Sequence, residues 1–161
     1  MMFLKFVLLY QLIGFGIIAG QAFYYLVCFT NVLRDLPARE YTLMRQTIDR
    51  HIGKPFRFIY VTMLLSCLLV PVLLVSSIGH EPRNWWWYAA MLCFFADFLL
   101  ALKGNNPINK IIAGWQVDSP PANWSDYRTR WAQFFAYRQV LAIGGLFCLI
   151  MLLLTRVSVF P

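Results

Sequence analysis

Four long apolar runs organise this chain, each interrupted by at most one charge. Between Lys5 and Arg34 lie 28 residues without a charged side chain, and between Arg57 and Glu81 lie 23. Between Arg83 and Lys103 lie 19, broken only by Asp97, and between Arg138 and Arg156 lie 17. An α-helix rises about 1.5 Å per residue, so crossing a hydrocarbon core of about 30 Å takes about 20 apolar residues. The pattern therefore predicts an all-α membrane protein: one four-helix transmembrane bundle over residues 1–161, with spans near residues 6–30, 57–79, 85–102 and 134–156. The last run is the shortest, and Arg138 and Arg156 can snorkel from its ends. The first run could be mistaken for a signal sequence. A signal h-region of about 7–15 residues would stop near Ala19–Ala22, however, whereas this run continues through Phe23, Leu26 and Phe29 and reads as a span.

The polar segments carry patterns of their own. In loop one Tyr41, Met44, Ile48 and Ile52 recur at spacings of three and four, the stripe of an amphipathic helix from Pro37 to Ile52. Arg45 and Asp49 stand four apart beside it and can pair. Gly53, followed by Pro55, supplies a stop, which predicts a separate helix lying on the membrane surface or capping the bundle. Loop two, Ser76 to Asn84, is short enough to make spans two and three an antiparallel hairpin, and Trp85, Trp86, Trp87 and Tyr88 after it read as an interfacial belt. In loop three Asn106 can cap a second amphipathic helix with Pro107 at its first position and Ile108, Ile111, Ile112 and Trp115 on one face. Asn123 and Asp126 resemble a capping box, and no helix breaker follows before Gly144. Span four is thus expected to begin several turns outside the membrane, with Trp131, Tyr137 and Arg138 at the juncture. Gly16 and Gly20 form a G-x-x-x-G read as packing against a neighbouring span, and Gly144 and Gly145 can serve the same purpose in span four.

Composition agrees with a lipid environment: 60% of residues are hydrophobic and 13% charged, against about 25% charge in a typical soluble domain. Loop one holds Arg34, Arg39, Arg45, Arg50, Lys54 and Arg57, and loop three holds Lys103, Lys110, Arg128 and Arg130; the other side has only Lys5, Arg83 and Arg156. For a bacterial inner membrane, the positive-inside rule puts loops one and three in the cytoplasm and both termini outside. The net charge of +7 is then mostly topological, with acidic lipid headgroups as partners and no call for nucleic acid. Cys28, Cys67, Cys93 and Cys148 form no C-x-x-C pair and read as small apolar residues in or beside the spans.

Asp97 is the most informative position. A carboxylate inside a span costs about 2.5–3.5 kcal/mol at the helix centre, so it faces the bundle interior and pairs. Arg138 and Gln139 on span four, Gln21, Tyr24 and Tyr25 on span one, and Tyr60 and Thr62 on span two supply polar groups to the same half of the bundle, while Leu and Val dominate the other. Two readings stand: an Asp–Arg or Asp–Tyr bond that holds the helices, or a buried pocket with a proton-accepting group. His51 and His80 are the only histidines and this topology puts them on opposite sides, so a bis-histidine haem and a di-iron carboxylate site are both excluded; no metal or cofactor is expected.

The run Asn106-Pro107-Ile108-Asn109, then Trp115, then Arg128, Trp131 and Arg138 resembles the N-P-I/L-N … W … R-x-x-W … R pattern of the anthrone oxygenase-like family of small four-helix membrane proteins. Leu36-Pro37 and Tyr41 through Ile48 are similar in layout, and the resemblance covers most of the chain. Many members carry Asn or His four residues after the tryptophan, where this chain has Phe135. The resemblance implies four membrane helices and, for the named members, cofactor-free oxygenation of polyketide anthrones. An anthrone has an acidic C–H conjugated with a ketone, so a base and donors for the enolate oxygen suffice. Asp97 would be the base and Arg138, Asn106 or Asn109 the donors, with Trp115, Arg128, Trp131, Tyr24 and Tyr60 as further binding residues and a lipophilic aromatic or quinone-like molecule as substrate. The alternative is a non-catalytic subunit or scaffold, homo-oligomeric or part of a larger membrane complex, whose Arg45, Arg128 and Arg138 lock the helices.

Overall fold

The computed structural model describes residues 2–78 and 85–157, with side chains over 2–71 and 85–155. Four helical rods fill these residues. The first is α1 (Met2–Tyr24), a π-turn (Tyr25–Phe29) and α2 (Thr30–Asp35) in one run. Only Leu36 and Pro37 separate it from α3 (Ala38–Ile78). Proline crowds the residue before it out of helical geometry, and Leu36 is accordingly extended at φ −70° and ψ 136°. The third rod is α4 (Trp85–Leu100), a second π-turn (Ala101–Asn105) and α5 (Asn106–Ala113); the fourth is α6 (Trp124–Val157). At 34 residues α6 spans about 50 Å, well beyond a hydrocarbon core, so its first turns stand outside the lipid as the sequence predicts.

Two boundaries differ from the sequence reading. The amphipathic segment of loop one is helical, but it does not stop at Gly53: α3 runs on through Gly53 and Pro55 into the span. A glycine costs a helix about 1 kcal/mol and a proline about 3, and packing against α1 along the span and α5 at its start outweighs both. Likewise Asn106 caps no new helix. Asn105 and Asn106 are both helical, and the rod passes from α4 to α5 without a break. The π-turn shifts the hydrogen-bond register just where Pro107 has no N–H to donate, so the proline falls at the change of ladder. Residues 79–84 of loop two lie outside the described residues, His80 among them.

Within the bundle α6 packs along α4 and α1, α1 packs on α3, and the start of α3 meets α5. Between α3 and α4 the contact is made by long side chains, chiefly Tyr60 against Phe94 and Phe98 and Cys67 against Met91. One apolar core, around Phe15, Met63, Val70, Phe94 and Leu152, lies at membrane depth. A second, around Tyr25, Tyr41, Ile108, Ile112 and Trp131, lies at the end that carries the Leu36–Pro37 turn. Arg39 pairs with Asp118 at 2.8 Å, bringing the connection after α5 to that same end. Leu68, Leu92 and Val140 are among the apolar side chains left outside, as a lipid-facing surface requires.

The small residues are used differently from the expectation. Gly16 and Gly20 face open space, so the G-x-x-x-G does not pack within the bundle; Gly14, two residues before Gly16, lies against Met63. Gly145 does serve as predicted, with its bare Cα against the Phe15 ring. Gly104, in the second π-turn, lies against Phe134, and a Cβ there would stand 2.6 Å from that ring. Gly104→Ala is therefore expected to destabilise the protein by about 1–3 kcal/mol through overpacking. Thermal unfolding in detergent checks this, with Gly20→Ala, helical and facing open space, expected to raise the midpoint slightly. The tryptophan belt also needs amendment: Trp85 and Tyr88 are exposed, but Trp87 is buried and donates to Gln11 Oε1 at 2.9 Å, while Gln11 Nε2 reaches Ser66 Oγ at 3.2 Å. A buried indole N–H needs an acceptor, and here it ties three helices together in the half that Leu and Val were expected to dominate.

Candidate functional site

One face of α3 repeats at spacings of three and four over Arg45, Ile48, Asp49, Ile52, Gly53, Phe56, Arg57, Tyr60 and Val61, a stripe about 24 Å long. It meets α5 and Trp131 at Arg45 and the α4 rings at Tyr60, and between them it forms one wall of a cavity of about 700 Å³, within the size range of small-molecule sites. The facing wall comes from Phe98, the second π-turn, α5, and Trp131, Phe135 and Arg138 of α6, with Gln21 and Tyr25 closing it from the first rod. Both π-turns thus border the cavity. Each inserts an extra residue into its helix, and between them they bring Tyr25 and Asn105 to the wall.

At the deep end Asp97 is buried and accepts two charge-assisted bonds. Its Oδ1 accepts from Arg138 Nε at 2.7 Å and its Oδ2 accepts from the Tyr60 hydroxyl. Arg138 also donates through NH2 to the Tyr60 oxygen at 2.9 Å, closing a three-membered ring of bonds across α3, α4 and α6. Tyr60 and Arg138 line the cavity, and Asp97 lies behind them. A carboxylate inside a span has therefore found both a counter-ion and a hydroxyl donor, which is what its burial demands.

From Arg138 a polar wall continues towards the other end. Arg138 NH1 reaches Asn105 Oδ1 at 3.4 Å, and Asn105 Nδ2 donates to the Trp131 carbonyl at 3.0 Å. Trp131 Nε1 donates to Asn109 Oδ1 at 2.8 Å, and Arg45 NH2 donates to the same oxygen at 2.9 Å. Arg45 is 1% exposed, pairs with Asp49 at 2.9 Å as its spacing predicts, and lays its guanidinium 4.1 Å from the centre of the Trp131 ring. The Trp131 ring stacks in turn on Phe135, and Phe135 packs on Tyr25. The cavity accordingly has a flat aromatic side and a polar side with an arginine–carboxylate pair at each end.

Of the residues singled out in the sequence, Asp97, Arg138, Tyr60, Asn109 and Trp131 come together here, and Asn106 stands exposed on the rim. Arg128, Trp115 and Tyr24 do not. Arg128 NH1 donates to the carbonyls of Arg34 and Leu36, fastening the end of α2, and its guanidinium lies over Trp124. Trp115 gives its carbonyl to Gln46 Nε2 and its ring to Tyr127. Tyr24 is exposed, and its neighbour Tyr25 takes the inward position because it continues the buried stripe of Phe15, Ile18 and Ala22 at spacings of three and four. Gln21 and Tyr25, expected in this half of the bundle, line it, and Asn105, Arg57 and Lys110 join the lining without having been anticipated. Arg45 was expected only to lock helices. The spacing of the α3 face would have revealed much of this wall, had Gly53 not been read as a helix end. No group of three or more His, Cys, Asp or Glu side chains among the described residues could hold a metal ion.

Four helices long and apolar enough to cross a bilayer, with a cavity bordered by a buried Tyr–Asp–Arg ring, define a small integral membrane protein. The family model described as anthrone oxygenase matches residues 56–155, which include all of α4, the second π-turn and α5 and nearly all of α6. The chain belongs to the anthrone oxygenase family. No curated protein and no solved structure matches it.

Proposed function

We propose that the protein is a membrane-embedded, cofactor-independent oxygenase that converts an anthrone-like methylene, flanked by aromatic rings and conjugated with a ketone, into the quinone. The observation that carries this reading is the Tyr60 hydroxyl on the cavity wall, which donates to a buried carboxylate and accepts from a guanidinium. In that arrangement the Tyr60 oxygen takes the methylene proton as its own proton passes to Asp97 Oδ2. The negative charge moves from Asp97 to the substrate enolate, and Arg138 exchanges one counter-ion for another without leaving its position. In a site of low dielectric, keeping a charge paired throughout the step is worth far more than it would be in water. The carbanion then reduces dioxygen and recombines with it as a C–O bond. The resulting peroxide takes up one proton and eliminates hydroxide with loss of the second C–H proton. One dioxygen and one anthrone give one quinone and one water. Asn105 and Asn109 border the polar side, and Trp131 with Phe135 offers a face for the flat ring system.

The test is oxygen uptake by the purified protein in detergent or nanodiscs with emodin-type anthrones. The expected result is one dioxygen consumed per quinone formed, at a rate well above spontaneous autoxidation. Uptake no faster than in empty nanodiscs would overturn the reading. A scaffold reading draws on the same ring of bonds, because mutually satisfied groups also hold helices together. The cavity of about 700 Å³ that Tyr60 and Arg138 line favours the enzyme, since a lock needs no open volume beside it.

A further inference from the structure

Removing a proton from an anthrone methylene puts most of the negative charge on the ketone oxygen, across the central ring from the carbon that lost the proton. The Tyr60 oxygen and Arg138 NH2, 2.9 Å apart, stand together at the carbon. The oxygen needs a donor of its own. A proton transfer at about 3 Å, the width of the central ring and a hydrogen bond of about 2.9 Å put that donor on the order of 10 Å from the Tyr60 oxygen. Arg138 NH1 reaches Asn105 at 3.4 Å, and Asn109 stands four residues further along the same rod, one helical turn or about 6 Å beyond. The Asn109 amide therefore lies at a distance of the order the ring system requires.

Its orientation is fixed. Asn109 Oδ1 accepts from the Trp131 indole at 2.8 Å and from Arg45 NH2 at 2.9 Å, and both of these neighbours can only donate. The amide cannot turn over, so Nδ2, which makes no hydrogen bond among the described residues, is left to the cavity that Asn109 lines. The guanidinium on Oδ1 also polarises the amide and strengthens its N–H groups as donors. Of the neighbouring asparagines, Asn105 has both amide atoms engaged and Asn106 is exposed on the rim.

We propose that Asn109 Nδ2 donates to the ketone oxygen of the substrate, so that the ring system lies with its methylene at Tyr60 and its ketone towards α5. This rests on the oxygenase reading and deepens it by giving the oxygen a partner and the bound ring a direction. As the C–H proton passes to Tyr60 and the Tyr60 proton to Asp97, the C–H electron pair moves into the ring and charge gathers on the ketone oxygen. The Asn109 bond tightens at that moment, which lowers the barrier more than it tightens binding. Asn109 itself gives up no proton.

The probe is acridone, titrated into the full chain in phosphatidylcholine nanodiscs and corrected against empty nanodiscs. Acridone carries a ring N–H where an anthrone has its methylene and a ketone in the same place, so it binds without turnover. Its fluorescence moves to longer wavelength when the ketone accepts a hydrogen bond. Bound acridone is expected to emit as it does in an alcohol, not as in a hydrocarbon. Asn109→Asp keeps an acceptor for Trp131 and Arg45 but puts an oxygen where the donor was. In that variant the emission should move to shorter wavelength and acridone affinity should fall about fivefold, the worth of one hydrogen bond. Affinity for anthracene, which has no ketone, should be unchanged and reports that the cavity is intact. Quinone formation should fall more steeply, about 10²-fold, as for loss of an oxyanion donor. Hydrocarbon-like emission in the parent protein, or emission and turnover in the variant within a factor of two of the parent, overturns the proposal; turnover that survives would keep the oxygenase and remove Asn109. A ketone signature that Asn109→Asp abolishes, with no oxygen uptake from any anthrone, would keep the ketone at Asn109 and remove the oxygenase.

Discussion

Asp97→Ala is expected to lower the unfolding free energy by about 3–5 kcal/mol, because it leaves a guanidinium inside the bundle without its counter-ion. Arg138 is only 14% exposed in its side chain, and its Nε bond to Asp97 at 2.7 Å is its one charge-assisted contact with a carboxylate. Tyr60 would lose its acceptor in the same step. Removing both charges should be far milder: Asp97→Leu combined with Arg138→Met restores apolar packing of similar volume, as replacement of a buried pair by hydrophobic residues commonly does. Thermal or denaturant unfolding in detergent checks the cycle. A double variant as unstable as the single one would mean that the helices depend on more than the pairing of these charges. Oxygen uptake should be absent from both variants, since neither keeps the carboxylate that accepts the proton.

Tyr60→Phe separates catalysis from structure. The substitution removes one oxygen and keeps the ring that packs on Phe94 and Phe98. Asp97 and Arg138 retain their direct bond, so the stability loss should be that of the two hydrogen bonds of the Tyr60 hydroxyl to charged partners, about 1.5–3 kcal/mol each. The rate of quinone formation, by contrast, should fall about 10²–10⁴-fold, the range that a positioned general base contributes. Activity within a factor of a few of the parent protein would remove Tyr60 from the reaction and leave Asp97 screened from the cavity. A collapse in stability together with activity would instead favour the scaffold reading.

The spans were legible because runs of 17 to 28 residues with at most one charge admit few alternatives in a chain this apolar. Helix ends were less so. Gly53, Pro55 and Asn106-Pro107 are ordinary stop or start signals, and their local cost is overridden by packing from helices distant in sequence. The pairing of Asp97 followed from the cost of a charge in lipid, but the choice of Tyr60 over Tyr24 or Tyr25 as its partner depends on helix rotation, which sequence spacing alone leaves undetermined. Tyr24 and Tyr25 show the limit sharply: the buried stripe of Phe15, Ile18, Ala22 and Tyr25 picks Tyr25, but a run apolar on every face does not display which stripe is turned inward. Asn105 was missed because Asn106 looked like the better cap. Trp87 was misread because three tryptophans and a tyrosine in succession suggest one role, although a helix points them in four directions.

The gap between α3 and α4 is bridged by side chains, and Val61 and Leu102, about half exposed, form its lips at membrane depth. A molecule dissolved in the bilayer can reach this slot sideways without crossing water. For such a route the governing concentration is two-dimensional: the mole fraction of substrate in the lipid, not its molarity in the buffer. At a fixed total amount of substrate, adding protein-free vesicles should therefore slow turnover by surface dilution, and adding buffer should scarcely change it.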